Sequence, residues 1–227
     1  MNLVFYLNKS SSFLKMNKSL LLDIDGVLVR DKALLSHVKD NCVQYVRHKL
    51  PDAKDPENVN RVLYLAHGHT ARGLRNSFRI DTSDFNEKVY DSRLLDHLSE
   101  VIYGTEFQKE AKEIHGLVQN GWNVTLFTNS PSVWALPVAR AISDEINVQC
   151  PHTWFKPEVE AYRTFSKNTE HIFVDDSLKN IGTARWLPNW KSVYFSEDEK
   201  DPKLWCPTVG SIWEICLYAN SCISPEK

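Results

Sequence analysis

The chain has 227 residues, 42% hydrophobic and 25% charged, with a formal net charge of −2. Those values fit one globular domain, or a core carrying a smaller one, and exclude the global basic field that holds nucleic acid or an anionic membrane. No apolar segment approaches the roughly 18–20 residues of a membrane span, so the expectation is a cytoplasmic protein without nucleic-acid or membrane partners.

The chain begins "MNLVFYLNKSSSFLKMNKS", whose apolar run Leu3–Leu7 is too short for a signal-peptide core. Residues 1–18 read as a poorly ordered leader, and Met16 is an alternative start. Five widely spaced cysteines form no C-x-x-C pair and suggest neither a zinc site nor a disulfide framework. The tryptophans read as packing residues and are given no chemistry.

The first element is "SLLLDID", a strand-length apolar run ending in Asp23 and Asp25. On a strand, such i and i+2 side chains share a face. Two like charges there repel and resist dehydration, so something must compensate them.

From Asp25 to Thr128 is 103 positions, whereas a parallel crossover needs only a dozen or more residues. The surplus is helical in period. Leu34, Leu35, Val38, Cys42, Tyr45 and Val46 form a stripe closed by Pro51; Asp55 and Pro56 open a second helix that Gly68 stops; "SRLLDHLSEVI" makes a third pattern. Residues 31–103 therefore read as a helical cap. In it, His67 and His69 lack a third metal ligand at suitable spacing, and Arg72, Arg75 and Arg79 form a local basic group.

Beyond the cap, Phe107, Ala111, Ile114 and Leu117 line one helix face before Gly121. Strands follow at "NVTLFTN", "HIFVDD" and "SVYF", with helices expected from Pro157 and at "LKNIGTARWL"; "EDEKD" reads as a solvated loop and "GSIWEICLYANSC" as a last helix. Alternating strands and helices imply an α/β fold, with a Rossmann-like parallel sheet core over 19–30 and 104–227 and the cap inserted after the first strand. Ligands of such sheets bind beyond the carboxyl ends of the strands.

Those ends carry Asp23 and Asp25, then Thr128 and Asn129, then Lys156, then Asp175 and Asp176. Carboxylates gathered there suit Mg²⁺, a hard cation that prefers oxygen. The metal relieves their repulsion, and a hydroxyl and a lysine complete a cradle for phosphate.

"DIDGV", "LFTNS", "FKPEVEAY" and "FVDDSLKN", in this order, resemble the haloacid dehalogenase (HAD) superfamily of aspartate-nucleophile phosphohydrolases over roughly residues 20–200. The resemblance implies that Asp23 attacks phosphorus, Asp25 acts as general acid and base, Thr128 donates to a phosphoryl oxygen and Lys156 neutralises the nucleophile. It implies Mg²⁺ held by Asp23, the Asp25 carbonyl and Asp175, with Asp176 direct or through water. Gly26 would let the backbone turn and approach the phosphate.

Within the cap, "AHGHTARGLRN" and "TSDFNEKVYD" resemble the pyrimidine 5′-nucleotidase-like branch, in Gly68, Thr70, Gly73, Leu74, Asp84, Phe85, Tyr90 and Asp91. His67, Ala71, "DGVLV", Trp134 and Pro137 depart from that branch, mostly on the substrate side. The expected activity is a Mg²⁺-dependent phosphomonoesterase acting on a small metabolite such as a nucleoside 5′-monophosphate, with Gly26, Asn129, Arg72 and Arg75 binding substrate. The alternatives are a phosphatase of sugar phosphates and a non-catalytic binding or regulatory module on the same scaffold.

Overall fold

A computed structural model describes residues 18–151, 153–198 and 204–222. The expected leader and the alternative start at Met16 lie outside them, as does the end of "EDEKD".

Six parallel strands form one sheet: β1 (Lys18–Leu22), β2 (Asn123–Phe127), β3 (Asn147–Gln149), β4 (Glu170–Asp175), β5 (Trp190–Phe195) and β6 (Thr208–Val209). Their order is β3-β2-β1-β4-β5-β6, so the chain reverses its direction of travel at β1, and the crevice beyond β1 and β4 is the site such sheets offer a ligand. Leu20, Leu21 and Leu22 of β1 are apolar in unbroken succession because both faces of the strand are covered there. Leu20 and Leu22 enter the larger core with Val124, Ile172 and Val174, while Leu21 points the other way, to Phe127, Tyr162 and Phe173.

Five cap helices follow β1: α1 (Lys32–Lys49), α2 (Pro56–His67), α3 (Thr70–Phe78), α4 (Phe85–Val89) and α5 (Ser92–Ile102). The capping signals act as read. Asp55 accepts from the Asn58 N–H with Pro56 behind it, and Gly68 ends α2 at φ 72°. Asp31 and Asp91 cap α1 and α5 in the same way. α1 packs on α2, α4 and α5, while α5 also reaches the helices α6 (Thr105–Gln119) and α7 (Ser132–Ile142) beside the sheet. Several cap residues that carried the family resemblance serve packing: Thr70 donates to Asn60, and Asp84 accepts from Tyr45. Three further helices follow, α8 (Val159–Tyr162), α9 (Leu178–Ala184) and α10 (Ile212–Ser221). No helix among the described residues is long and apolar enough to cross a membrane.

Three expectations change. β1 stops at Leu22, so Asp25 is not its strand neighbour but sits in a turn in which the N–H groups of Leu28 and Val29 converge on the Ile24 carbonyl. The helix expected from Pro157 shrinks to α8, because Glu158 folds back onto the Phe155 N–H and holds the segment as turns. Glu197 of "EDEKD" is not merely solvated: with Glu110 it pairs Arg30, whose largely buried guanidinium anchors the segment leading into α1.

Candidate active site

The sheet brings Asp23, Asp25, Thr128, Lys156, Asp175 and Asp176 to one cleft or directly beneath it. Asp23 follows β1 and Asp175 ends β4, so the pairing of these two strands sets the carboxylates side by side. Lys156 lies between them, 1% exposed. Its ammonium donates to Asp175 Oδ2 at 2.6 Å and the Phe127 carbonyl at 2.7 Å, and pairs with Asp23 Oδ1 at 3.0 Å. An ammonium has three donors, and all three are engaged. Burial works against this charge, but Asp175 and Asp23 overcome it and raise the pKa of Lys156.

Asp175, fully buried, accepts from the Ser177 N–H and Asn180 at Oδ1, and from Lys156 and Asn180 at Oδ2. Asp176 is exposed to the cleft, and burial of its carboxyl, then the charge of Asp175, pushes its pKa up to about 7. Oxygens of Asp23, Asp175 and Asp176 lie within 4.8 Å of one another. Burial likewise holds the Asp23 carboxyl well above the ordinary range, with Lys156 opposing and the three neighbouring aspartates adding to the rise. One lysine does not balance this set. A divalent cation fits it on both charge and donor chemistry. Asp23, Asp175 and Asp176 are grouped closely enough to meet one metal ion, and Asp175 also holds Lys156.

Gly26 turns at φ 85°, and a Cβ there would stand 2.1 Å from Asp176 Oδ2. Only glycine lets the turn and this carboxylate coexist.

The Asp25 side chain faces away from the acidic triad. Ser130 Oγ donates to its Oδ2 at 2.5 Å and the Trp134 indole N–H to its Oδ1 at 2.9 Å. Burial raises the Asp25 pKa, and these two donors oppose the rise. Neither partner is singled out by the sequence; Trp134 had been noted only as a departure from the nucleotidase-like branch. The one local hint is that Ser130 directly follows "LFTN" and Trp134 lies in the first turn of α7.

Thr128 is buried at the cleft floor, its hydroxyl accepting from the Ser130 N–H. Asn129 is not free for substrate. Its amide donates to the Lys156 and Gly68 carbonyls, and its oxygen accepts from the Lys156 N–H, so it locks the lysine loop in place. Asn129 does line the cleft, whereas Arg72 and Arg75 do not. Arg72 pairs with Glu158 and lies over the Phe155 ring, while Arg75 is exposed. Both sit on α3.

The cleft measures about 630 Å³, within the roughly 300–1,000 Å³ of small-molecule sites. It climbs from the carboxylates between α1 and α2, past Leu35, Val38, Asn60, Tyr64, Phe85 and Tyr90. His69 also borders it between the rings of Phe85 and Phe155, and burial, then Arg75 and Arg72, push its pKa down to about 4. Among the described residues it belongs to no group that could hold a metal ion.

Comparison with solved structures places this geometry. No family model matches the chain and no curated protein resembles it in sequence. A HAD phosphatase from Thermococcus onnurineus superposes with a TM-score of 0.57 at 15% identity, over 88% of this chain and 97% of that one. The chain carries the fold of the HAD superfamily. A β-phosphoglucomutase from Clostridium difficile gives 0.56 at 15% identity over 92% and 99% of the two chains. A dehalogenase gives 0.51 at 14% identity over 90% and 98%. HAD-superfamily enzymes of different chemistries thus share this architecture, and the fold alone does not choose among them.

Proposed function

We propose that this protein is a Mg²⁺-dependent phosphomonoesterase with Asp23 as nucleophile. The observation that carries the reading is the buried Lys156 bridging Asp23 and Asp175, with Asp176 beside them and Asp25 held apart by its own donors. Two carboxylates in such different surroundings suit two different roles.

Asp23 attacks phosphorus as the bond to the leaving oxygen breaks, giving an aspartyl-phosphate. Asp25 delivers a proton to that oxygen, then takes one from the water that hydrolyses the intermediate. Lys156, its donors committed, keeps Asp23 ionised rather than reaching the phosphate. Thr128 offers its hydroxyl proton to a phosphoryl oxygen. Asp23, Asp175, Asp176 and the Asp25 carbonyl would hold Mg²⁺, which neutralises phosphate charge when bound.

The substrate read from this cleft is a small phosphomonoester with a flat leaving group, a nucleoside 5′-monophosphate being the first to test. Tyr64, Phe85 and Tyr90 favour a ring, and Asn60 and Arg61 of α2, rather than Arg72 and Arg75, border its path. Sugar phosphates are the second reading, favoured by the likeness to a β-phosphoglucomutase. Dehalogenation has no alkoxide to protonate and leaves the two donors on Asp25 without purpose.

A panel of nucleoside monophosphates, sugar phosphates and p-nitrophenyl phosphate, assayed with Mg²⁺ and with excess EDTA, tests the reading. Turnover abolished by EDTA and fastest on a nucleotide is expected. Sugar phosphates outrunning every nucleotide would remove the substrate class alone. No turnover of any ester would favour a non-catalytic module.

A further inference from the structure

We propose that Trp134 is a positioning residue that fixes which oxygen of Asp25 donates the proton to the leaving group. The inference rests on the phosphomonoesterase reading and adds to it a residue outside the cleft. Trp134 is fully buried, and its ring meets that of Tyr90 edge-on at 5.6 Å. It borders no part of the cleft, whereas Asp25, Ser130 and Tyr90 all do.

The two hydrogen bonds on Asp25 are chemically unequal. An indole N–H can only donate, whereas a serine hydroxyl can donate or accept. Oδ1, facing Trp134 at 2.9 Å, therefore has to remain an acceptor; a proton there would set two donors against each other. Oδ2 faces Ser130 at 2.5 Å and tolerates either state, because that hydroxyl can rotate. The Tyr90 hydroxyl stands 3.5 Å from Ser130 Oγ and gives it an alternative partner when it does.

The acid form of Asp25 thus carries its proton on Oδ2, on the cleft side. As Asp23 bonds to phosphorus and the P–O bond to the leaving group breaks, that proton passes to the departing oxygen. Asp25 is left as a carboxylate whose oxygens both accept, the arrangement seen here. Without the indole N–H the carboxyl can turn, and its proton no longer points at one place. A misplacement of about 1 Å costs on the order of 10²-fold in rate.

The test is leaving-group dependence. kcat/KM covers the steps through loss of the leaving group, and an acid matters there only when that group is a poor one. Trp134→Phe deletes the N–H and keeps a ring. It should lower kcat/KM for an alkyl phosphate at least about tenfold more than for p-nitrophenyl phosphate, within the 10²–10⁴-fold that general acids supply. Trp134→His, which restores a ring N–H, should recover part of that difference at similar thermal stability. Should Trp134→Phe fail to fold, Trp134→Met, which likewise lacks a donor and fills the site with a flexible apolar chain, should carry the same leaving-group signature. Equal losses on the two esters, or none, would overturn the inference while leaving the phosphatase intact. A wild-type protein that turns over neither ester would instead overturn the reading beneath it.

Discussion

Asp23 and Lys156 are unequal partners in stability. Asn at position 23 keeps an oxygen for the ammonium to donate to and removes a charge that burial and three neighbouring aspartates already penalise. Asp23→Asn should therefore retain or gain thermal stability while turnover falls by about 10⁴-fold or more, the scale on which enzymes lose rate with their nucleophile. Melting curves beside single-substrate kinetics check both halves. Lys156→Met is the opposite case. It strands Asp175 and Asp23 without their cation, a loss of about 3–5 kcal/mol for a broken buried pair, read as a lower denaturation midpoint with Mg²⁺ absent. A midpoint unchanged in Lys156→Met would mean that the lysine is not the charge holding those carboxylates.

Among the elements, the helices were the most legible. Asp55, Pro56 and Gly68 act through backbone geometry that neighbouring residues dictate, so α2 could be bounded from sequence. The edge strands β3 and β6, three and two residues long, carry too little pattern to read. Side-chain direction across loops was illegible for another reason. Asn129 and Arg72 are chemically suited to a substrate, and only the position of the Lys156 loop and of Glu158 turns them inward. Trp134 and Asp25 stand 109 residues apart, beyond any local signal. The cap also carries a pH dependence. His69 is held neutral, its folded pKa of about 4 lying below the ordinary histidine value of 6.5. The unfolded chain therefore binds its proton first as pH falls, and the stability contributed by neutral His69 is lost between about pH 6.5 and 4. His69→Phe should flatten this acid limb of Tm against pH; an unaltered limb would assign it to other groups.

For the molecule as a whole, the acidic triad, read as a metal site, predicts that stability depends on metal. A ligand that binds only the folded state at 100 times its Kd adds about 2.7 kcal/mol, and at this size each kcal/mol moves Tm by roughly 2–4 °C. Mg²⁺ should raise Tm by about 5–10 °C, EDTA should reverse it, and Asp176→Asn should abolish most of it. Ca²⁺ should stabilise too yet support little turnover, because its larger, looser shell misplaces nucleophile and phosphorus. A Tm indifferent to Mg²⁺ at millimolar levels would speak against the metal site.

The contact between Gly26 and Asp176 predicts genetic epistasis. Gly26→Ala meets two obstacles, a backbone at φ 85° and the carboxylate of Asp176 in the space its Cβ needs. Shortening residue 176 removes the second obstacle and leaves the first, which costs about 1–3 kcal/mol. Gly26→Ala combined with Asp176→Ala should therefore be more stable than the two single effects added together. In a saturation library scored for folding, tolerance at position 26 should rise wherever position 176 has become small. Scored for turnover, no such rescue should appear, since the change that makes room for a methyl group also takes away a carboxylate of the site. The divergence between those two maps would separate what glycine does for the chain from what it does for the chemistry.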